Sequence, residues 1–440
     1  MTADPRNTRQ NNLLQRVLGL EREEYLAVAW SFVYFFCVLA AYYILRSVRE
    51  TMAVEGGVQN IPWLFSGTFA VMLLATPIFG WVASRYPRKR FLPWVYYFFV
   101  VNILLFYAGF SYAIHIDHDF VWLGRAFFVW LSIFNLFVVS VFWSFMADIY
   151  THEQGRRLFG LISAGGSAGA LLGPLVTSAL VVPIGFQNLL PISAVLLLCG
   201  VYCIAVLRHW VESRDGDAGG ETVASSRPLG GNALGGVQHV ARSQYLSSIA
   251  LASIIASLMG SALYIFMAQL VGEAFTDTDE RTRVFALIDA ATNTLALIGQ
   301  LFIVKHAVRH LGIGITLSLL PFVSLVGFAL LAINPVFAVV AVLQLVRRSL
   351  GFGLSKPTND MLYSVVTPEE KYKAKNFIDT ALYRGGDLIG VWAVRFMSGL
   401  GISGVSLVML PFAILWAGIA LWLGRDYRRR DRLGIGETKA

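Results

Sequence analysis

YLAVAWSFVYFFCVLAAYYIL, residues 25–45, runs for 21 residues without a charged side chain. An α-helix rises about 1.5 Å per residue, so about 20 apolar residues carry it across the roughly 30 Å hydrocarbon core of a bilayer. Inside hydrocarbon the backbone N–H and C=O groups find no water, and a helix satisfies them within the segment itself. The stretch is therefore a transmembrane helix, and the rest of the chain resembles it. Of 440 residues 56% are hydrophobic and 14% charged, against about 25% charged in soluble domains, and the mean hydropathy is +0.63. An ordinary soluble enzyme, a disordered chain and a secreted disulfide scaffold are all excluded.

Twelve such stretches are predicted, at residues 25–50, 61–84, 91–113, 120–149, 158–182, 188–208, 244–272, 283–304, 312–333, 335–364, 374–398 and 403–424. Between the sixth and seventh lies a Gly-, Ser- and Asp-rich segment with the composition of a flexible linker. The expected organisation is an N-terminal segment (1–24), a six-helix bundle (25–208), a linker (209–243), a second six-helix bundle (244–424) and a basic tail (425–440). The fold class is all-α, a polytopic membrane protein. In the first 24 residues, Leu13, Leu14, Val17 and Leu18 form one stripe among arginines, which predicts a segment lying along the membrane surface rather than a signal peptide.

Orientation follows from lysine and arginine. The N-terminus, every second loop and the C-terminus hold 25 of the 35 basic residues, whereas the opposite loops hold only Arg281 and Arg283, beside Asp277, Asp279 and Glu280. Basic residues stay on the cytoplasmic side, so both termini are expected there, in the cytoplasmic (inner) membrane. The formal charge of +8 is this bias, and no basic stripe with interleaved aromatics speaks for nucleic acid.

Several motifs recur. After the fourth stretch comes Glu153-Gln-Gly-Arg-Arg157, with Gly169 sixteen residues beyond Glu153, and after the tenth comes Glu370-Lys-Tyr-Lys373, with Gly386 sixteen residues beyond Glu370, in corresponding loops of the two halves. That is a parallel repeat, the architecture of major facilitator transporters. Gly80-Trp-Val-Ala-Ser-Arg-Tyr-Pro-Arg-Lys-Arg90 resembles the signature G-x-x-x-D-R-x-G-R-[RK] of that superfamily, with Ser84 for the Asp and Pro87 for the second Gly. In the fifth stretch Gly169, Gly173 and Pro174 fit the G-x-x-x-G-P core of the antiporter motif. Small residues at every fourth position equally make a helix-packing face.

Two further segments resemble a narrower family, the nucleotide (ATP/ADP) translocases of plastids and intracellular bacteria. Tyr42-Tyr-Ile-Leu-Arg-Ser-Val-Arg-Glu-Thr-Met-Ala-Val54 is similar to their Y-x-I-L-R-D-x-K-D-T-L-V-V. Lys356-Pro-Thr-Asn-Asp-Met-Leu-Tyr363, with Lys371 to Asp379 downstream, is similar to their P-T-K-E-M-A-Y and K-x-K-x-x-x-D. The family's Lys-Asp becomes Arg49-Glu50, which keeps both signs, and its Lys-Glu becomes Asn359-Asp360, which loses a cation implicated in nucleotide binding. The resemblance implies a distant relative.

Ionisable groups within spans are costly and mark pathways, sites or mutual pairs. The cations here are Arg46, Arg49, Arg125, Arg347, Arg348, Lys356, Arg384 and Arg395, and the acids are Glu50, Asp148, Asp289, Asp360, Asp379 and Asp387. Pairing leaves two cations over, which leaves room for an anion. Arg347, Arg348, Arg384 and Asp387 lie nearest mid-span, where Arg384 and Asp387 can pair at i,i+3. The substrate-binding candidates are Arg46, Arg49, Arg347, Arg348, Arg384 and Lys356, because guanidinium forks suit phosphate and carboxylate. The coupling or gating candidates are Glu50, Asp148, Asp289, Asp360, Asp379, Asp387 and, in the signature loop, Arg85.

Nothing points to catalysis, a cofactor or a metal. Gly160 to Pro174 lacks the Lys-Ser/Thr of a phosphate loop, no nucleophile–base constellation appears, and His115-Ile-Asp-His-Asp119 reads as a solvated turn. Cys37, Cys199 and Cys203 lie in apolar runs and read as packing residues. Trp63, Trp94, Trp122 and Trp143 are expected at the membrane interfaces. The expected function is secondary active transport by alternating access, as a monomer, exchanging an anionic phosphorylated or nucleotide-like metabolite for a counter-substrate. The alternatives are a proton-coupled transporter of a drug or other solute, with Glu50, Asp289 or Asp387 carrying the proton, and a non-transporting receptor or scaffold.

Overall fold

The computed structural model describes residues 21, 24–85, 88–215, 239–367, 370, 373–375 and 377–433. The expected surface-lying stripe at Leu13 to Leu18 falls outside the described residues. Among those described every regular element is helical. The helices are α1 (Tyr25–Glu55), α2 (Ile61–Arg85), α3 (Arg88–His115), α4 (Val121–Ile149), α5 (His152–Ile184), α6 (Leu189–Asp215), α7 (Gln244–Ala274), α8 (Thr278–Ile298), α9 (Val304–Ile333), α10 (Phe337–Leu350), α11 (Tyr383–Phe396) and α12 (Gly401–Arg432). α6 runs seven residues beyond the expected bundle boundary at 208, into the polar segment.

Ten helical stretches among the described residues are long and apolar enough to cross a membrane. Two features separate that number from the sequence expectation. Thr278–Ile333 is one continuous stretch, bent where Gly312 takes φ 76°, a left-handed backbone that glycine adopts without a Cβ penalty. The helix around α11 is not among the ten, because Arg384, Asp387 and Arg395 make it polar for its length.

The described chain divides into two compact units. The first comprises Met1–Arg49, Met72–Ala224 and Thr282–Ala290, and the second Glu50–Val71, Ser225–Arg281 and Ala291–Ala440. In the first unit an aromatic core fills the space between α1, α3 and α4. Phe35 stacks on Phe142 at 4.1 Å, and Tyr34 donates to the Tyr96 hydroxyl at 2.6 Å, which in turn donates to the Val138 carbonyl. Each buried hydroxyl thus has a partner, as a dry core demands. Trp143, expected at an interface, packs edge-on against Phe35 and Phe159 instead, whereas Trp63, Trp94 and Trp122 are exposed. α5 begins with a capping box between Thr151 and Gln154, which satisfies amides the helix cannot satisfy itself.

The glycine stripe of α5 faces α1. A Cβ on Gly165 or Gly169 would meet the carbonyl oxygens of Phe32 or Phe36, and one on Gly173 would lie 2.8 Å from the Ala40 oxygen. These glycines let two helix backbones touch, which in lipid is a main source of helix association.

In the second unit, three π-helical turns interrupt the long helices: Gly299–Ile303 after α8, Gly351–Ser355 after α10 and Phe377–Leu382 before α11. The first two meet at glycines, with a Cβ on Gly299 falling 3.3 Å from the Gly353 Cα. α10 then continues through the short helix Lys356–Met361. Such turns shift side-chain direction and recur at functional sites; here they precede Lys356 and contain Asp379.

Candidate functional site

The second unit gathers polar groups where α7, α10 and α11 meet. Small residues on one face of α7 allow this. A Cβ on Gly386 would lie 3.0 Å from the Ser257 Cβ, and one on Gly390 would lie 2.7 Å from the Ser261 Oγ. The Ser257 hydroxyl contacts both the Tyr383 carbonyl, at 3.1 Å, and the Asp387 carboxylate. The Ser261 hydroxyl donates to the Asp387 carbonyl at 3.2 Å. Arg384 and Asp387 make no direct ion pair: Ser257 contacts the carboxylate, and the exposed Arg384 acts on it only at longer range, with no ion pair or hydrogen bond among the described residues.

Arg347 enters the same junction from α10. Its guanidinium lies against Gly260, where a Cβ would sit 3.3 Å from Nη1, and its Nη2 donates to the Ala256 carbonyl. The Nε–H is buried without an acceptor, and no carboxylate lies within ion-pair distance among the described residues. A buried donor left unmet costs about 1–3 kcal/mol. Two guanidinium groups therefore stand at one junction without a direct ion pair among the described residues, one anchored and one open, with Asp387 the acid whose charge both feel at longer range. Chemically this can hold an oxyanion. Arg348, next in sequence, is half-buried.

The other sequence candidates have protein partners. Lys356 reaches Asp379 at 2.8 Å and Asp360 at 3.6 Å, and Lys375 joins Asp360 at 2.9 Å. This is an alternating chain of two acids and two bases between the helical turns that follow the α10 π-turn and precede α11. Glu50, 7% exposed, accepts from the Tyr264 hydroxyl at 2.6 Å. Nearby, Glu55 pairs with Arg281 at 2.7 Å and accepts from Thr278 at 2.8 Å. Arg281 also donates to the Phe275 and Gly272 carbonyls, so one arginine ties the ends of α1, α7 and α8.

In the first unit, Arg46 meets Asp289 at 3.5 Å, with only 3% of the Asp289 side chain exposed. Arg49 lies over the Phe128 ring at 5.0 Å, a cation–π arrangement, and Arg125 lies over Trp122 at 4.5 Å. Asp148 is exposed near the end of α4. The Arg85 side chain falls outside the described residues. In the loop before α4, the Asp119 carboxylate accepts the Val121 amide at 2.7 Å, a helix-starting turn. Removing one partner of a buried ion pair is destabilising: Asp289→Ala is expected to lower stability by up to about 3–5 kcal/mol, read as a fall in melting temperature of the detergent-solubilised protein. The double change Arg46→Met/Asp289→Leu is expected to recover most of it.

Sequence reasoning missed Ser257, Gly260, Tyr264, Glu55 and Lys375. Ser257, Gly260 and Ser261 recur at i, i+3 and i+4 on α7, a small-residue signal that reads as packing and here also positions charge.

Residues 30–391 match the family model for the Major Facilitator Superfamily. The chain belongs to that superfamily. This major facilitator chain is 20% identical to ADP,ATP carrier protein 2 of Chlamydia pneumoniae, over 90% of its own length and 88% of the relative's. It is 22% identical to ADP,ATP carrier protein 1 of Chlamydia muridarum, over 89% and 85%. Among solved structures, a bacterial homologue of the iron transporter ferroportin in an inward-facing state is similar, with TM-score 0.66 at 13% identity over 92% of this chain and 98% of that one. The nucleoside transporter NupG gives 0.58 at 12% identity, over 93% and 100%. The fold is thus all-α and polytopic, and the protein is a membrane transporter of the major facilitator type.

Proposed function

We propose that this transporter exchanges an anionic, phosphorylated or nucleotide-like metabolite by alternating access, with Arg347 and Arg384 binding the anionic group. The observation that supports the reading is the pair of guanidinium groups at the α7–α10–α11 junction without a direct carboxylate contact, two cations around the single acid Asp387, while Lys356 and Arg46 are held by acids. A cation at bilayer depth costs about 2.5–3.5 kcal/mol, and two such charges left open favour an anion as the missing partner. The distant similarity to ADP,ATP carriers supports a nucleotide-like anion. Arg49, Arg348 and Lys356 are assigned as supporting cations along the route. Glu50, Glu55 and Arg281 serve as contacts that break and re-form when the six-helix bundles (25–208 and 244–424) rock, and Asp360 and Asp379 hold Lys356 within the second bundle. The basic bias of alternate loops supports cytoplasmic termini and the inner membrane as the protein's location, and the proposed working unit is a monomer.

Ligand-dependent unfolding tests the reading. A ligand at a hundred times its Kd stabilises the folded state by about 2.7 kcal/mol. Millimolar ATP, ADP or a sugar phosphate is expected to raise the melting temperature of the purified protein, and the uncharged nucleoside or sugar is not. Equal shifts with charged and uncharged ligands would overturn the anion assignment.

The second reading, proton coupling, rests on Asp387, whose carboxylate is held by Ser257 in the same junction. It predicts uptake that collapses with a protonophore and needs no internal counter-substrate.

A further inference from the structure

A pocket of about 220 Å³, whose lining includes none of the arginine-junction residues, lies at helix ends of the second unit. The α1–α2 connection, the far part of α7, the end of α11 and the start of α12 enclose it. Pro62, Phe266, Ile402 and Val405 give it an apolar wall, and Pro62, Phe266 and Val405 are buried. Arg395, Gln59 and Gln269 also line it. Gln269 donates to Glu273 at 2.9 Å, and Glu273 does not line the pocket. Arg395 is exposed and makes no ion pair or hydrogen bond among the described residues.

Neighbouring aromatics give the depth. Trp63 is 66% and Phe396 82% exposed; Trp392 stacks edge-on with Trp63 at 5.0 Å and donates its indole N–H to Ser66. Exposed tryptophan at a span end marks the headgroup level of a bilayer. A single open arginine, two amides and an apolar wall at that level match one kind of molecule, an anionic amphiphile. A free phosphate would use the arginine and leave the wall bare, and a neutral lipid would use the wall and leave the arginine unmatched.

We infer that this pocket binds an anionic phospholipid, with its phosphate on Arg395 and an acyl chain along Phe266, Ile402 and Val405. Native mass spectrometry of the full-length protein, titrated with dioleoyl phosphatidylglycerol or phosphatidylcholine, tests this. The wild type is expected to retain phosphatidylglycerol in preference to phosphatidylcholine, and Arg395→Gln to lose about tenfold in phosphatidylglycerol affinity, the scale of one charge-assisted contact. Ile402→Trp, which fills the pocket without touching the charge, is expected to lose retention as well. Arg309→Gln, an exposed cation elsewhere on the chain, is expected to leave retention unchanged. Equal retention by Arg395→Gln and the wild type, or no preference between the two lipids in the wild type, would overturn the proposal. So would glycerol 3-phosphate displacing the lipid at equal concentration, because the site would then recognise phosphate alone. Arg395→Gln changes an exposed side chain and keeps the test independent of folding should Ile402→Trp fail to insert.

Discussion

Arg384→Ala and Arg347→Ala are each expected to lower transport about ten- to a hundredfold while the protein still inserts and remains monodisperse. The magnitude is that of a hydrogen bond to a charged group, about 1.5–3 kcal/mol. Neither arginine makes a direct ion pair within the described residues, and Asp387, the acid whose charge both feel, keeps its contact with the Ser257 hydroxyl in either variant, so each variant is expected to fold. The two differ under conservative replacement. Arg384 is exposed, and Arg384→Lys keeps a charge that can reach an anion. Arg347 is anchored through Nη2 to the Ala256 carbonyl and packed against Gly260; a lysine has no planar fork to bind backbone and ligand together, so Arg347→Lys is expected to behave like Arg347→Ala. Uptake assays paired with size-exclusion profiles measure both quantities, and normal transport by either alanine variant would remove that residue from the site.

The second large effect is structural. Gly165→Leu or Gly169→Leu drives a side chain into the α1 backbone at Phe32 or Phe36. Overpacking costs about 1–3 kcal/mol where neighbours can yield, and a helix backbone yields less than a side chain. Both variants are expected to lose most folded protein, seen as aggregation in detergent and a collapsed melting temperature. Gly160→Leu is the control on the same helix: its Cβ meets nothing within 4 Å, and near-wild-type behaviour is expected. A stable, transport-competent Gly169→Leu would contradict the packing role of the stripe.

How much of this was legible without coordinates depends on the range over which each feature is set. The apolar run at residues 25–45 fixes a spanning helix by length alone, because solvation inside lipid leaves the backbone no alternative. The stripe of α5 was legible as small residues, though its partner was not: close approach to α1 is a tertiary fact. The polar character of α11 pointed to Arg384 and Asp387 as unusual, but i,i+3 spacing suggested that they pair with each other. Ser257, 130 residues away in sequence, takes the carboxylate instead, and no local spacing encodes that. Lys356 and Asp379 stood out as single charges, and their ion pair depends on two π-turns that re-aim them. Glu55 and Arg281 looked like ordinary loop charges, since only a contact between residues 226 apart distinguishes them.

Counterflow in proteoliposomes tests the central claim most directly. Vesicles are loaded with unlabelled ADP or ATP, and uptake of labelled ATP is followed with and without a protonophore, for the wild type and Arg384→Ala. Rapid uptake that requires internal nucleotide, survives the protonophore and fails in Arg384→Ala is the predicted result. Uptake that needs no internal nucleotide and collapses with the protonophore would contradict it and favour proton coupling through Asp387.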